Sequence, residues 1–291
     1  MGDTMWILYA TGSAFLRALL PYSQNVGFQK QILDVATAIR TIVVLVFSWI
    51  LVLLTGTISG ITDISGKTLL FLVLSGIATG ASWLCYFKAL QNGNVNKVVP
   101  IDKSSTILTI LLACIFFHEG LSLAKIGCVC MIGVGTMLMI TRKEDVESNS
   151  SDKSWLMYAI LSAVFASLTS ILGKIGISGI DSNLGTAIRT SVVLVMAWLM
   201  VFVKNKQSQI KDVDRKELLF IILSGFATGG SWLCFYRALQ DGLASIVVPI
   251  DKLSILVTIG FSRVVFHEKL SKKALLGLIL ITVGTVTMTM I

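Results

Sequence analysis

The chain has 291 residues, 55% of them apolar and only 14% charged, with a mean hydropathy of +0.84. That balance excludes a soluble domain of this size. The net charge of +8 gathers in short runs between apolar blocks, so it reads as a topology signal and not as a nucleic-acid footprint.

Met1-Gly2-Asp3-Thr4 leads into an apolar run that lacks the basic stretch of a signal peptide. It reads as a mature helix over 5–27, whose polar members are Arg17, Pro21, Tyr22, Gln24 and Asn25. Apolar blocks of roughly 18 to 22 residues, the length that crosses a ~30 Å hydrocarbon core, follow at 36–55, 68–91, 97–117 and 122–140. The second block opens near Arg40, placed as a headgroup anchor. The third carries Gly76 and Gly80, a small-xxx-small face that lets helix backbones touch, and then Trp83, Tyr86 and Lys88. A short turn at 91–94 leads to the fourth, with Pro100 at its entrance, then Asp102 and Lys103, and His118-Glu119 capping its end. Gly127, Gly133 and Gly135 supply packing on the fifth. The polar stretch 142–153 is a linker.

Beyond the linker the sequence repeats at one constant offset. Ser75-Gly76-Ile77-Ala78-Thr79-Gly80 returns as Ser224-Gly225-Phe226-Ala227-Thr228-Gly229, and Val99-Pro100-Ile101-Asp102-Lys103 as Val248-Pro249-Ile250-Asp251-Lys252. Trp6 answers Trp155, Arg40 answers Arg189, and His118-Glu119 answers His267-Glu268. The second set of blocks falls at 154–177, 185–204, 217–240, 246–266 and 272–291. The expected organisation is an all-α membrane protein of ten transmembrane helices: a five-helix repeat over 1–141, the linker, and a second repeat over 154–291. Because five is odd, the two copies enter the bilayer from opposite sides, the sequence form of an inverted-repeat transporter.

Ionisable residues inside membrane helices are costly and mark functional positions. Lys88, Asp102 and Lys103, repeated as Arg237, Asp251 and Lys252, are expected to pair across the hairpins, Lys88 with Asp102 and Arg237 with Asp251. They either close the two gates of a central pathway or staple each hairpin at the interface. Trp83, Tyr86, Trp232 and Tyr236 surround them, as walls of a cation-binding or ring-stacking cavity or as members of an aromatic belt. Arg17, Gln24 and Asn25 stand opposite Ala166, Gly173 and Lys174 of the second copy, so they either break cavity symmetry and set substrate choice or lie in the interface. Cys85, Cys114, Cys128, Cys130 and Cys234 sit in apolar helices as small hydrophobes. Without a nucleophile–base set, a phosphate loop or a Cys/His cluster, an enzyme is disfavoured, and neither cofactor nor metal is expected.

Equivalent loops have traded positive charge. Lys67 stands alone between the second and third blocks, against Lys204, Lys206, Lys211, Arg215 and Lys216 in the second copy; Lys125 stands against Lys269, Lys272 and Lys273. Cations mark the cytoplasmic side, which puts loops 1–2 and 7–8 inside and both termini outside.

Phe117-His118-Glu119-Gly120-Leu121-Ser122 and Phe266-His267-Glu268-Lys269-Leu270-Ser271 resemble the Gly-Glu-x-Leu-Ser signature of EamA-type transporters of the drug/metabolite transporter superfamily, as do the Ala-Leu pairs at 89–90 and 238–239. The resemblance spans both halves. It implies two inverted five-helix bundles, a cavity lined by helices 1, 3, 4, 6, 8 and 9, and secondary export or exchange of small metabolites. Two departures stand out: His118 and His267 replace the signature glycine, and relatives of this kind keep both termini in the cytoplasm. The function expected is alternating-access transport of a small polar or amphipathic metabolite, such as an amino acid or organic cation, coupled to protons or sodium or running as exchange. Its partners would be that substrate and the lipid bilayer of a prokaryotic cytoplasmic membrane, as monomer or homodimer. A lipid-carrier flippase and a non-transporting scaffold subunit are the alternatives.

Overall fold

A computed structural model describes residues 5–18, 33–93, 95–120, 122–139, 154–265 and 271–291. Among these residues every regular element is helical. In chain order they are α1 (Met5–Ala18), α2 (Leu33–Leu54), α3 (Gly66–Asn92), α4 (Val95–Lys103), α5 (Ser105–Phe116) and α6 (Leu123–Met139) in the first half. The second half has α7 (Ser154–Ile177), α8 (Ser182–Val203), α9 (Arg215–Asp241), α10 (Ala244–Lys252), α11 (Ser254–Val265) and α12 (Lys272–Met290). Seven spans are long and apolar enough to cross a membrane, from Asp34–Leu54 to Lys272–Met290, and Leu123–Met139 is a shorter apolar helix. Large apolar side chains such as Leu8, Val46, Leu53, Val195 and Leu219 face outward while serines and threonines are buried. That inversion suits a bilayer, where backbone polar groups must be satisfied within each helix.

Helix starts follow their caps. The Asp181 carboxylate accepts from the backbone N–H groups of Asn183 and Leu184, and Asp214 forms a capping box with Glu217 at the head of α9. Ser271 caps α12 through the Ala274 N–H. The fourth block of each half departs from expectation. Its proline is not at the entrance but inside, Pro100 within α4 and Pro249 within α10, and Ser104 and Leu253, one residue each, keep right-handed helical dihedrals before α5 and α11, so that Lys97–Phe116 is still one apolar span. A proline within a helix removes one backbone donor and crowds the preceding turn. The chain re-closes just beyond it, with Ser104 N–H donating to the Pro100 carbonyl at 3.0 Å and Leu253 N–H to the Ile250 carbonyl at 2.9 Å.

The chain forms two compact units, and each draws on both halves. The first holds residues 1–80 and 172–242, the second 81–171 and 243–291. Within the first, the start of α2 meets the end of α8: Asp34 takes Lys204 at 3.0 Å and Lys206 at 2.6 Å. The end of α2 meets the start of α8, where Val52 packs with Leu184 and Ala187. These repeat-equivalent helices therefore run antiparallel. In the second unit α6 and α12 do the same. Gly135 lies against Gly277, and Gly284 lies against Cys128 and Ile132. Backbone-to-backbone contact of this kind needs glycine: a Cβ on Gly135 would sit 2.6 Å from the Gly277 carbonyl oxygen. Gly127, expected to share that work, faces open space.

Three expectations about charge also change. Lys125 is buried and so is no loop charge. Glu119 does not cap its own helix. Its carboxylate accepts from the N–H groups of Ala244 and Ser245, at 2.8 and 2.9 Å, and so caps α10 of the other half. Arg189, placed as a headgroup anchor, is only 2% exposed.

Candidate functional site

Arg189 organises the first unit. It lies about 10 Å along α8 from the capped start, too deep for its short reach to the interface to be the default. Its Nε donates to Ser75 Oγ at 3.0 Å and its Nη2 to Thr79 Oγ1 at 2.6 Å. Ser75 and Thr79 are four residues apart on α3 and share a face. Thr79 Oγ1 gives its own hydrogen to the Ser75 carbonyl at 3.0 Å, which leaves its lone pairs for the guanidinium. Trp232 and Tyr236, also four apart, present their rings from α9, with the guanidinium carbon 5.0 Å and 4.6 Å from the ring centroids. Such cation–π contacts hold a charge without neutralising it. Arg189 Nη1 is buried with no hydrogen-bond partner.

Glycines make this packing possible. A Cβ on Gly76 would lie 2.7 Å from Val192 Cβ, so α3 and α8 touch there. A Cβ on Gly173, in α7, would lie 2.6 Å from Tyr236 Cε1 and 3.2 Å from Ser75 Oγ, so the absent side chain is what leaves room for both. Arg17 of α1 sits over the Phe235 ring at 5.7 Å, and Phe235 meets Tyr236 edge-on at 5.4 Å. Lys174 Nζ donates to the Gly242 carbonyl at 2.6 Å, at the end of α9.

The second unit holds a smaller polar cluster. Asp102 Oδ1 accepts from Ser162 Oγ at 2.8 Å. Ser82 Oγ donates to the Ser162 backbone carbonyl at 3.1 Å, and the Ser82 carbonyl, 3.2 Å from Ser162 Oγ, is the alternative acceptor for that hydroxyl's one hydrogen, which joins α7 to α3. Their repeat equivalents Ser13 and Ser231 are bonded at 3.0 Å in the first unit. Tyr86 packs on Ala89, Val98 and Ala159. Asp251 is 1% exposed.

The expected pairing of Lys88 with Asp102 does not form. Lys88 and Lys103 are exposed, and among the described residues no ion pair joins Lys88 to Asp102. Arg237 is paired with Asp241 one turn along its own helix, at 2.9 Å, and lies over the Tyr9 ring. A neighbour four residues away costs less chain ordering than a partner across a hairpin. Trp83, Tyr86, Lys88, Asp102, Lys103, Asp251 and Lys252 belong to the second unit; Arg17, Lys174, Trp232, Tyr236 and Arg237 belong to the first. Gln24 and Asn25, with Pro21, Tyr22, His267 and Glu268, lie outside the described residues. Arg189 was missed because the sequence placed the start of its helix at 185, beside it. The Asp181 cap, four residues earlier, carried the signal that it lies deeper.

An all-helical membrane protein whose repeat-equivalent helices pack antiparallel in each unit defines the class. The chain belongs to the EamA-like transporter family, whose model matches residues 4–141 and 153–290. It is 39% identical to a Sinorhizobium sp. protein named "Uncharacterized transporter in cobO 3'region", over 45% of this chain and 94% of that one. It is 23% identical to "Uncharacterized transporter YxxF" of Bacillus subtilis, over 58% and 54%, and 28% identical to "Uncharacterized protein MJ1333.1" of Methanocaldococcus jannaschii, over 45% and 93%. A solved crystal structure superposes with a TM-score of 0.77 at 15% identity, covering 99% of this chain and 97% of the other, a likeness of fold. Family and relatives support a membrane transporter.

Proposed function

We propose that the chain is a secondary transporter that exports or exchanges a small polar or amphipathic metabolite by alternating access, built from ten spans in two inverted repeats. The antiparallel packing of α2 on α8 and of α6 on α12 carries this reading. Inverted copies give a molecule two nearly equivalent arrangements, one open to each side, and a solute can shift between them. In this reading Asp102 and Asp251 are gate or coupling residues. Asp102 is held by Ser162, and Asp251 is buried. A proton gradient, a sodium gradient or exchange drives the cycle.

The test is flux. Purified protein in proteoliposomes should move a metabolite that stabilises it in a thermal-shift screen, since a ligand that binds the folded state raises its unfolding midpoint. Imposing a proton or a sodium gradient separates the coupling modes. Asp102→Asn and Asp251→Asn should each slow transport by at least about tenfold. Transport that survives both with its ion dependence unchanged removes the gate assignment; no flux of any stabilising metabolite removes the transporter reading.

A further inference from the structure

We propose that Arg189, held by Ser75, Thr79, Trp232 and Tyr236, is an anion-binding subsite, and that the metabolite carried presents a carboxylate to it. This rests on the transporter reading and names the substrate class of its path.

A guanidinium at 2% exposure has lost its water, and the usual compensation is a carboxylate. Among the described residues Arg189 has none. The carboxylates of its unit whose side chains are described lie elsewhere: Asp34 is held by Lys204 and Lys206, Asp181 and Asp214 by the helix starts they cap, Glu217 by the Asp214 backbone N–H and Asp241 by Arg237, while Asp63 is exposed beside Thr62. The segment 19–32 contains neither Asp nor Glu. What surrounds Arg189 is neutral. Two hydroxyls take Nε and Nη2, the Tyr236 side chain with its phenol and the Trp232 ring lie alongside, and Nη1 is buried with no hydrogen bond of its own.

That arrangement orients a fork and keeps its charge unspent. Ser75 and Thr79 occupy the side edge of the guanidinium, and Nη1, at its end, is buried with its hydrogens undonated. A carboxylate accepting there would satisfy the orphan donor and the unpaired charge together. An organic cation would meet the same charge as repulsion, which turns the expectation of an amino acid or an organic cation toward the carboxylate-bearing class. Among the described residues of the cluster Arg189 supplies the single charge, since Arg17 lies over Phe235 instead. One charge matches a monoanion better than a phosphate dianion. Gly173 adds a second, steric, signature. It is the position where a side chain would collide with Tyr236 and Ser75, and the other copy carries Gln24 there.

The experiment uses the full chain in lipid nanodiscs. Its unfolding midpoint is recorded with acetate, benzoate, succinate, phenyl phosphate, benzamide and benzylamine, in the native protein and in Arg189→Gln and Arg189→Lys. The expected result is a rise with at least one carboxylate and none with benzamide or benzylamine. Arg189→Gln should abolish that rise, and its midpoint without any probe should equal or exceed the native one, because a buried unpaired charge has gone. Arg189→Lys keeps the charge and loses the fork, so the carboxylate should bind at least about tenfold more weakly in a folded protein. The proposal is overturned if no carboxylate shifts the midpoint, if benzylamine or benzamide shifts it as far, or if phenyl phosphate outdoes every carboxylate. It is also overturned if the shift survives in Arg189→Gln. The two readings fail separately. Arg189-dependent carboxylate binding without flux in proteoliposomes removes transport and leaves the subsite. Flux of a cationic solute that Arg189→Gln leaves unchanged removes the subsite and leaves transport.

Discussion

His118 holds a left-handed backbone, φ 53°, between α5 and the Glu119 that caps α10. An L side chain is crowded there by about 1–2 kcal/mol, a cost that glycine escapes. The family signature's glycine at this position thus has a local cause, and this chain bears the strain to keep Glu119 in place. His118→Gly should stabilise the protein by about 1 kcal/mol, less what glycine adds to unfolded-chain freedom, read as a higher unfolding midpoint in detergent. A lower midpoint would mean that the imidazole makes a contact worth more than the strain. The repeat shows the same physics at another turn: Gly56 has φ 68° and its equivalent Asn205 has φ 52°. Asn is the residue most tolerant of that region after Gly, so the pair at 56 and 205 marked a left-handed turn in the sequence itself. His118 marked it less plainly: histidine too is enriched in that region, but here no glycine stands at the equivalent position, His267, to go with it.

At the level of helices, the glycines of α6 separate packing from mere permissiveness. Gly135→Ala would drive a methyl to within 2.6 Å of the Gly277 oxygen and 3.0 Å of the Ile281 backbone nitrogen, neither of which can rotate away. The expected loss is about 1–3 kcal/mol of stability. Gly127→Ala on the same helix meets nothing within 4 Å and should be neutral or slightly stabilising, since alanine is the better helix former. Equal midpoints for the two variants would refute the contact between α6 and α12. Sequence spacing alone put both glycines in one class, because period and residue type do not say what stands opposite. The helices themselves were legible. Block lengths near a bilayer's thickness fixed α3, α7, α9 and α12 to within two residues or so, and the duplication fixed their partners. The placing of Pro100 and Pro249 was half legible. Both prolines were visible, but Val95-Asn96-Lys97 and Ala244-Ser245 before them, more polar than the blocks that follow, hid that the helix already begins there.

For the molecule as a whole, inversion was readable and the binding chemistry less so. An odd number of apolar blocks per copy implied antiparallel halves, and the salt bridges of Asp34 with Lys204 and Lys206 bring loop 1–2 to loop 7–8, as a shared side requires. The candidate site was half found. Trp232 and Tyr236 were singled out from their depth, whereas the charge they hold was assigned to the membrane surface. Membrane orientation is where these corrections matter most. The loop-charge argument rested on cations at matched positions, yet Lys125 is buried, and Lys204 and Lys206 are neutralised by Asp34. What carries the bias now is Lys211, Arg215 and Lys216 against the lone Lys67, with Lys272 and Lys273 at the head of α12. Lys and Arg in short loops resist translocation and acidic neighbours count for little, so the expected orientation keeps loop 7–8 inside and both termini outside. Fusing the C-terminus to a fluorescent protein that matures only in the cytoplasm, and separately to alkaline phosphatase, decides it. Phosphatase activity with a dark fluorescent fusion agrees with the remaining charges. A bright fluorescent fusion reverses the orientation, and would mean that Lys211, Arg215, Lys216, Lys272 and Lys273 do not set it.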